Sequence, residues 1–554
     1  MLEGLVLNDY PLTVRYILER MRTVYADSTV VTLRDGGRCD TVTFTEIGDR
    51  VDRLAGAMHA LGVRPGDRVG TLMWNTQEHV ELYYAIPAMG AVLHTLNLRL
   101  SPEQLTYVIT HAEDRAIIVD DSLVPLLEAI APRLPTVEHI VVVGDGSAGE
   151  LTQALRYEDL IADSAQGMPD VEIDERAAAA LCYTSGTTGN PKGVLYSHRS
   201  TVLHAMGLGL ADTFGIRNSD RVLPVVPMFH VNAWGLPYAA GLTGASLVLP
   251  SNHLNAAPLT SLIVKERVTV AAGVPTIWLD VLRFADEHAP DLSSLRRVVC
   301  GGAAVPRSLM ENFLSRHGVR IEQAWGMTES SPLASFATPP AGATGEEEWR
   351  YRTTGGRIIP LVEARIVGEA GTPLPWDGIS TGEVELRGPW IASSYYRDPA
   401  PDRFADGWLR TGDIAAIEPG GYVRLTDRTK DVIKSGGEWI SSVELENALI
   451  GHPAVAEAAV IAKPDERWSE RPLACVVRVP DTDVSAEELA VYLRDHVQRW
   501  WIPDAYAFID EIPKTSVGKF HKKVLRALLA QGDLRHRQIS NRAPVEPGRD
   551  TTPE

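Results

Sequence analysis

Between Tyr183 and Gly193 the chain reads Tyr-Thr-Ser-Gly-Thr-Thr-Gly-Asn-Pro-Lys-Gly, small and hydroxylated residues broken by glycine and carrying a lysine. Such a run exposes backbone N–H groups together with side-chain O–H donors, which suits the oxygens of a polyphosphate. Glycine permits close approach of those oxygens, Lys192 adds positive charge, and Pro191 restricts the backbone ahead of it. The order is not the Gly-x-x-x-x-Gly-Lys-Ser/Thr of P-loop nucleotidases, because Gly193 follows the lysine where a hydroxyl would cap a helix. Ser, Thr and Gly also cluster in flexible surface loops that bind nothing. The length of this run and its lysine weigh against that.

The apolar run Ala177 to Leu181 feeds this loop, and the pattern around it alternates helical and extended stretches. Thr43 and Glu46 have capping-box spacing, and Ile47, Val51, Leu54, Ala55, Met58 and Leu61 then recur at helical intervals up to the turn Arg64-Pro-Gly-Asp67. Short apolar strands are expected at Val69–Met73, Ala116–Val119, Ser246–Leu249 and Arg297–Cys300. Strands of this kind separated by helix-length segments predict a largely parallel sheet covered on both faces. Beyond about Gly382 the texture turns to polar strands and Gly-rich turns. After Asp427 a helix opened by Ser441, strands within Val455–Ala462 and Leu473–Val479, and a helix opened by Ser485 and Glu488 predict a small α+β unit. A boundary is expected near Asp427, and residues 541–554, rich in proline and charge, are expected to form a disordered tail.

The chain has 554 residues, 45 % hydrophobic and 23 % charged, ordinary values for a globular protein of several compact units. A formal net charge of −19 opposes nucleic-acid phosphates and anionic lipid, so nucleic acid is not expected as a partner. The 4 cysteines (Cys39, Cys182, Cys300 and Cys475) are far apart, without the spacing of a disulfide framework or zinc cluster. The opening Met1 to Asp9 is acidic where a signal peptide is basic, and the longest apolar stretch, Leu82 to Leu93, is too short to span a bilayer. The expectation is a cytoplasmic protein without integral membrane association.

Thr184-Ser-Gly-Thr-Thr-Gly-Asn-Pro-Lys-Gly193 resembles the signature of the acyl-adenylate-forming superfamily, and further motifs of that superfamily follow in order. They are Pro227-Met-Phe-His-Val-Asn-Ala-Trp-Gly235, Cys300-Gly-Gly-Ala-Ala304, Gln323-Ala-Trp-Gly-Met-Thr-Glu329, Trp408-Leu-Arg-Thr-Gly-Asp413, the stretch from Asp427 to Trp439, and Pro513-Lys-Thr-Ser-Val-Gly-Lys519. The likeness runs from about residue 10 to 530, and is greatest to bacterial medium- and long-chain fatty acyl-CoA synthetases. It implies an α/β fold with a large N-terminal domain (1–427) of mostly parallel sheets and a small distorted barrel, plus a small mobile C-terminal α+β domain (428–540). It also implies ATP, Mg²⁺ and coenzyme A as cofactor and substrates, a small carboxylic acid as the other partner, and a homodimer through the N-terminal domain.

The resemblance assigns roles residue by residue. Ser185, Gly186, Thr187, Thr188, Gly189 and Lys192 would hold the phosphates, with Mg²⁺ on Thr184 and Glu329. Gly302, Ala303, Gln323, Ala324, Trp325, Gly326, Met327 and Thr328 would wall the adenine, Asp413 would take the ribose hydroxyls, and Arg428 the ribose or phosphate. Lys430, Lys434 and Trp439 fall where relatives close over the adenylate, and Gly436 and Gly437 where the pantetheine chain passes. Lys519 would drive adenylation and leave when the small domain rotates near Asp427 and Arg428. His230 would orient the carboxylate, and Val231, Trp234 and Gly235 would line the acyl pocket. Ala324, Trp325 and His521 depart from common family residues, which keeps open a ligase working mainly on preformed acyl-AMP. The same motifs also admit a non-fatty or natural-product carboxylate as the acid, and a non-catalytic nucleotide-binding module.

Overall fold

The computed structural model describes residues 10–164, 167–184, 190–428, 431–435, 438–514 and 520–539. Three sheets organise them. The first has 7 strands, in the order Leu155–Arg156, His139–Val143, Asp114–Asp120, Arg68–Leu72, Val92–Thr95, Ala178–Tyr183 and Gly193–Ser197. All its pairings are parallel except the last, where the chain folds straight back from Ala178–Tyr183 to Gly193–Ser197. The loop singled out in the sequence joins these two strands.

The second sheet joins 14 strands. Its parallel half includes Ser246–Leu249, Arg221–Pro224, Val270–Gly273, Arg297–Gly301 and Ile321–Gly326. From there it continues antiparallel through Leu333–Phe336, Gly356–Ile358, Tyr422–Arg428, Trp408–Ile417, Thr381–Arg387 and Glu363–Val367. The resemblance implies a small distorted barrel in the N-terminal domain, and that expectation is corrected: these strands extend the sheet without closing. Gly356 is the joint. At φ +101° its Cα lies so close to the Phe336 backbone that an added Cβ would be 2.2 Å from the Phe336 carbonyl carbon, so only glycine lets the strands pair there.

A continuous core packs helices Phe44–Ala60, Gln77–Ala88, His198–Gly209 and Leu236–Thr243 with residues from both sheets. The capping box of the first of these forms as expected: Thr43 accepts from the Glu46 N–H, and Glu46 returns a bond to the Thr43 N–H at 2.7 Å. Every residue of Gln77–Ala88 is buried, so most of the apolar stretch Leu82 to Leu93 is an interior helix. Among the described residues no helix is long and apolar enough to cross a membrane.

The third sheet has 6 strands and is built entirely after residue 432, around the hairpin Val455–Asp465 and Ser469–Arg478. Its two apolar clusters draw only on residues from Ile433 onward. Helices Ser442–Ile450 and Ala486–Leu493 start where Ser441 and Ser485 accept from the N–H three residues on, as the sequence predicts.

Candidate active site

Thr184 closes the base of the hairpin twice: its N–H donates to the Lys192 carbonyl at 2.9 Å, and its hydroxyl oxygen accepts the Lys192 N–H at 3.1 Å. Tyr183, just before it, is held by a 2.7 Å bond between its hydroxyl and His111 Nδ1. Ser185, Gly186, Thr187, Thr188 and Gly189 lie outside the described residues. The Lys192 ammonium stands 3.2 Å from Asp398 and 4.7 Å from the centre of the Tyr395 ring. The lysine holds the Asp398 carboxyl below the usual carboxylate range.

Tyr395 then donates its hydroxyl proton to Glu329 at 2.6 Å. Glu329 is 5 % exposed and sits in the turn Thr328–Ser330, fixed further by the Ala392 N–H on its own carbonyl. Lys192 and Glu329, far apart in the chain, thus meet on the two sides of one tyrosine. Sequence reasoning misses Tyr395 and Asp398. Their only local signal is a Tyr-Tyr-Arg-Asp run after an extended segment, a composition that surface loops share.

The strand Ile321–Gly326 carries the expected adenine wall and leads directly into the Glu329 turn. Gln323 is spent on structure, since its amide donates to the Thr354 carbonyl and accepts from the Val305 N–H, both at 2.8 Å. Gly301 pairs in register with Ala324, which sets Gly302 and Ala303 at the strand end beside Ala324 and Trp325. Gly302 takes φ +85° to leave that strand. Gly326 admits no side chain, because a Cβ would fall 1.8 Å from the Pro332 carbonyl. Met327 begins the turn, and Thr328 accepts the Tyr196 hydroxyl at 2.7 Å on its carbonyl.

Trp325 is 9 % exposed, and its indole N–H donates to Asp413 Oδ2 at 3.0 Å. The other Asp413 oxygen lies 3.3 Å from Arg428, its register partner on the adjacent strand. A carboxylate offers about four lone-pair sites, so with one indole and one guanidinium in place it still has acceptors for two hydroxyl donors. The tryptophan at 325 therefore brings its own donor to the carboxylate. Trp325→Phe keeps a flat face and removes that donor, and is expected to weaken ATP binding about tenfold in equilibrium dialysis. A change below twofold would remove Trp325 from this role.

His230 is half-buried and opens a turn in which Val231, Asn232, Ala233 and Trp234 all take φ between 46° and 56°, followed by Gly235 at 76°. A left-handed turn of L-residues costs roughly 1–2 kcal/mol per residue, so packing must hold it. Asn232 Oδ1 accepts from Cys182 Sγ at 3.1 Å, and Trp234, 7 % exposed, reaches toward Gly301. The expected acyl-pocket residues thus share one strained turn, which touches the strand Ala178–Tyr183 through Cys182 and the end of the strand Arg297–Gly301.

Other expected residues are placed elsewhere. The Lys434 ammonium is 3.7 Å from Glu369, and its N–H donates to Glu470 at 2.8 Å. Lys430, Gly436, Gly437 and Lys519 lie outside the described residues, as does the side chain of Trp439. The residues flanking the Lys519 segment, Lys514 and Phe520, pair as an isolated bridge, and His521 donates its N–H to the Pro513 carbonyl at 2.7 Å.

Among the described residues no cluster of three or more His, Cys, Asp or Glu could hold a metal ion by itself. The two residues expected to hold Mg²⁺, Glu329 and Thr184, offer only oxygen atoms, one carboxylate and one hydroxyl. That fits Mg²⁺, which takes its remaining ligands from phosphate and water.

Comparison with known proteins agrees with this geometry. Residues 18–396 match the AMP-binding enzyme family and residues 444–519 the AMP-binding enzyme C-terminal domain. The chain is 47 % identical to a long-chain-fatty-acid–CoA ligase of Thermus thermophilus, over 95 % of this chain and 98 % of the other. It is 42 % identical to a medium-chain-fatty-acid–CoA ligase of Ectopseudomonas oleovorans, over 96 % of this chain and 98 % of that one. Its fold is similar to the crystal structure of an anthranilate CoA ligase in complex with anthranoyl-AMP, with TM-score 0.85, 30 % identity, and coverage of 95 % of this chain and 99 % of that one.

Proposed function

The chain belongs to the AMP-binding enzyme family, and on that premise we propose that it is an AMP-forming acyl-CoA synthetase. It activates a medium- or long-chain carboxylic acid as acyl-AMP, then transfers the acyl group to the thiol of coenzyme A, releasing pyrophosphate and AMP. The observation that carries the reading is the continuous run from Trp325 to Glu329. One end of it meets Asp413 and Arg428, and the other meets Tyr395 and Lys192. A nucleoside polyphosphate has the same two ends, a dihydroxy sugar and a chain of anions.

In this reading Asp413 accepts the ribose hydroxyls, Trp325 holds that carboxylate in place, and Lys192 offsets phosphate charge. Thr184 and Glu329 would hold Mg²⁺, which when bound neutralises phosphate oxygens as the acid carboxylate approaches. His230 orients the carboxylate at the mouth of the turn containing Trp234. The Lys519 ammonium faces the α-phosphate in the first half-reaction.

A boundary between residues 427 and 428 belongs to the same proposal. Neighbouring residues of a strand face opposite ways. Asp427 accepts from the Ser442 N–H at 2.9 Å and its hydroxyl at 2.5 Å, whereas Arg428 turns to Asp413. Behind Ser442 the buried Lys522 bonds Glu446 at 2.7 Å, and the two carboxylates Glu446 and Asp427 raise its pKa. With the boundary there, the Asp427–Ser442 and Arg428–Asp413 contacts both cross it, and rotation about this point would part them. A cytoplasmic location, suggested by the scattered cysteines, and a homodimer through the N-terminal unit, drawn from the resemblance alone, complete the proposal.

Incubation of the pure protein with ATP, Mg²⁺, coenzyme A and a ladder of carboxylic acids is expected to yield acyl-CoA, AMP and pyrophosphate in equal amounts. ADP as the nucleotide product would refute the reading.

A further inference from the structure

We propose that Lys522 is a positioning residue: through Ser442 it clamps the helix that follows Lys519 to Asp427 across the pivot, and so sets how the enzyme divides its time between the arrangements of the two half-reactions. The inference rests on the synthetase reading and on the pivot between residues 427 and 428, and it names the group that holds that pivot.

Lys522 opens the helix Lys522–Gln531, just after Lys519 in the chain. The residues flanking the Lys519 segment are gathered at the same point, where Lys514 bridges Phe520 and His521 donates its N–H to the Pro513 carbonyl. From the first turn of the helix the Lys522 side chain runs into the small unit and is only 11 % exposed. Its ammonium donates to Glu446 at 2.7 Å and to the Ser442 hydroxyl oxygen at 2.5 Å. Ser442 is fully buried, and it donates both its hydroxyl proton and its N–H to one oxygen of Asp427. Burial pushes the Asp427 carboxyl up, and the Lys522 charge opposes that shift. Glu446, Lys522, Ser442 and Asp427 thus form one line of buried polar groups, and its last member lies across the proposed boundary.

The small unit has no need of that last member. Glu446 alone neutralises the Lys522 charge inside it, and Glu446 is itself fixed by the Val460 N–H at 2.7 Å, on the strand Val455–Asp465. A lysine that served only the fold of this unit would stop at that pair. One turn further along the same helix face, Arg526 pairs with Asp431 at 2.8 Å. Asp427 precedes the pivot and Asp431 follows it, so one face of one helix holds the chain on both sides of the point of rotation. Rotation there breaks the bonds to Asp427 and keeps Glu446–Lys522 and Asp431–Arg526, which both lie within the unit that moves. The clamp therefore stabilises one arrangement and not the other. Breaking a buried, charged line costs far more than parting an exposed ion pair, which gives these four residues weight in the balance.

Dyes on Glu287→Cys and Asp483→Cys, exposed positions of the large and the small unit, report the arrangement by energy transfer, in a Cys39→Ser background because the other three cysteines are buried. The half-reactions are timed separately, as pyrophosphate release with ATP and a ladder of carboxylic acids, and as acyl-CoA formation from supplied acyl-AMP. Lys522→Met is expected to shift the ratio of the two arrangements, and with it the ratio of the two half-reaction rates, by about tenfold, the weight of one hydrogen bond to a charged group. Ser442→Ala shifts both in the same sense by about fivefold, and Lys522→Arg, which keeps the charge, returns them to within about threefold of wild type. In an Asp427→Ala background Lys522→Met changes the ratio by less than about twofold, because the two side chains act through one contact. Equal losses in both half-reactions with an unmoved dye distribution, as a lysine that only holds the small unit together would produce, overturn the proposal. So does full additivity of Lys522→Met with Asp427→Ala. Where the methionine variant does not fold, a distribution in Ser442→Ala equal to wild type overturns it. A wild type that forms neither AMP nor a CoA thioester with any acid overturns the synthetase reading instead, and the dye distribution still tests the clamp.

Discussion

Lys519→Ala is expected to lower acyl-adenylate formation about a thousandfold while leaving thioester formation from supplied acyl-AMP within about threefold of wild type. The carboxylate and the α-phosphate are both anions, and their meeting is the electrostatic obstacle of the first half-reaction. A fixed ammonium between them acts on the transition state of that step alone, so its removal appears in kcat for adenylation. The second half-reaction joins a thiol to a neutral mixed-anhydride carbonyl and has no such obstacle. Lys519 also belongs to the unit proposed to rotate away before it. Single-turnover measurement of pyrophosphate release, set beside acyl-CoA formation from synthetic acyl-AMP, separates the two. Equal losses in both halves would remove the assigned role, and a melting temperature equal to wild type excludes misfolding as the cause. The same pair of assays tests for a ligase confined to preformed acyl-AMP, since a wild-type enzyme fast with acyl-AMP and silent with ATP plus acid would be that ligase.

Asp413→Ala is expected to reduce kcat/KM for ATP by about a hundredfold to a thousandfold, the loss of two charge-assisted hydrogen bonds to ribose. Its carboxylate is buried between the Trp325 indole and the Arg428 guanidinium, and its removal also strands both partners. Some loss of thermal stability therefore accompanies the loss of rate. Asp413→Asn retains the shape and an acceptor for the indole but not the charge, so it is expected to fold like wild type and lose less. KM for coenzyme A, measured with saturating acyl-AMP, stays close to wild type in the asparagine variant if the carboxylate serves only the nucleotide. Loss of less than threefold in kcat/KM for ATP in the alanine variant would refute the ribose assignment.

Much of this protein can be read one stretch at a time. The capping box at Thr43 and Glu46, the strands around Ile117 and Val248 and the Ser441 and Ser485 helix starts all stand where period and capping chemistry put them. The strands beyond Gly382 are a different case. Their polar, Gly-rich texture is that of any half-exposed antiparallel strand, and whether such strands close into a barrel or lengthen a sheet depends on what they meet. Here Gly356 lets them join the edge at Phe336.

The amino-acid order alone carries the phosphate-binding reading, since the donors, the glycines and Lys192 lie within one short loop. Tertiary structure decided what each of these groups faces. Lys192 finds Asp398 across 206 residues, Trp325 finds Asp413 across 88, and His204 finds Leu333 across 129. Hydrophobic period and capping report neighbours within a turn or two of the same element and carry no information at such separations.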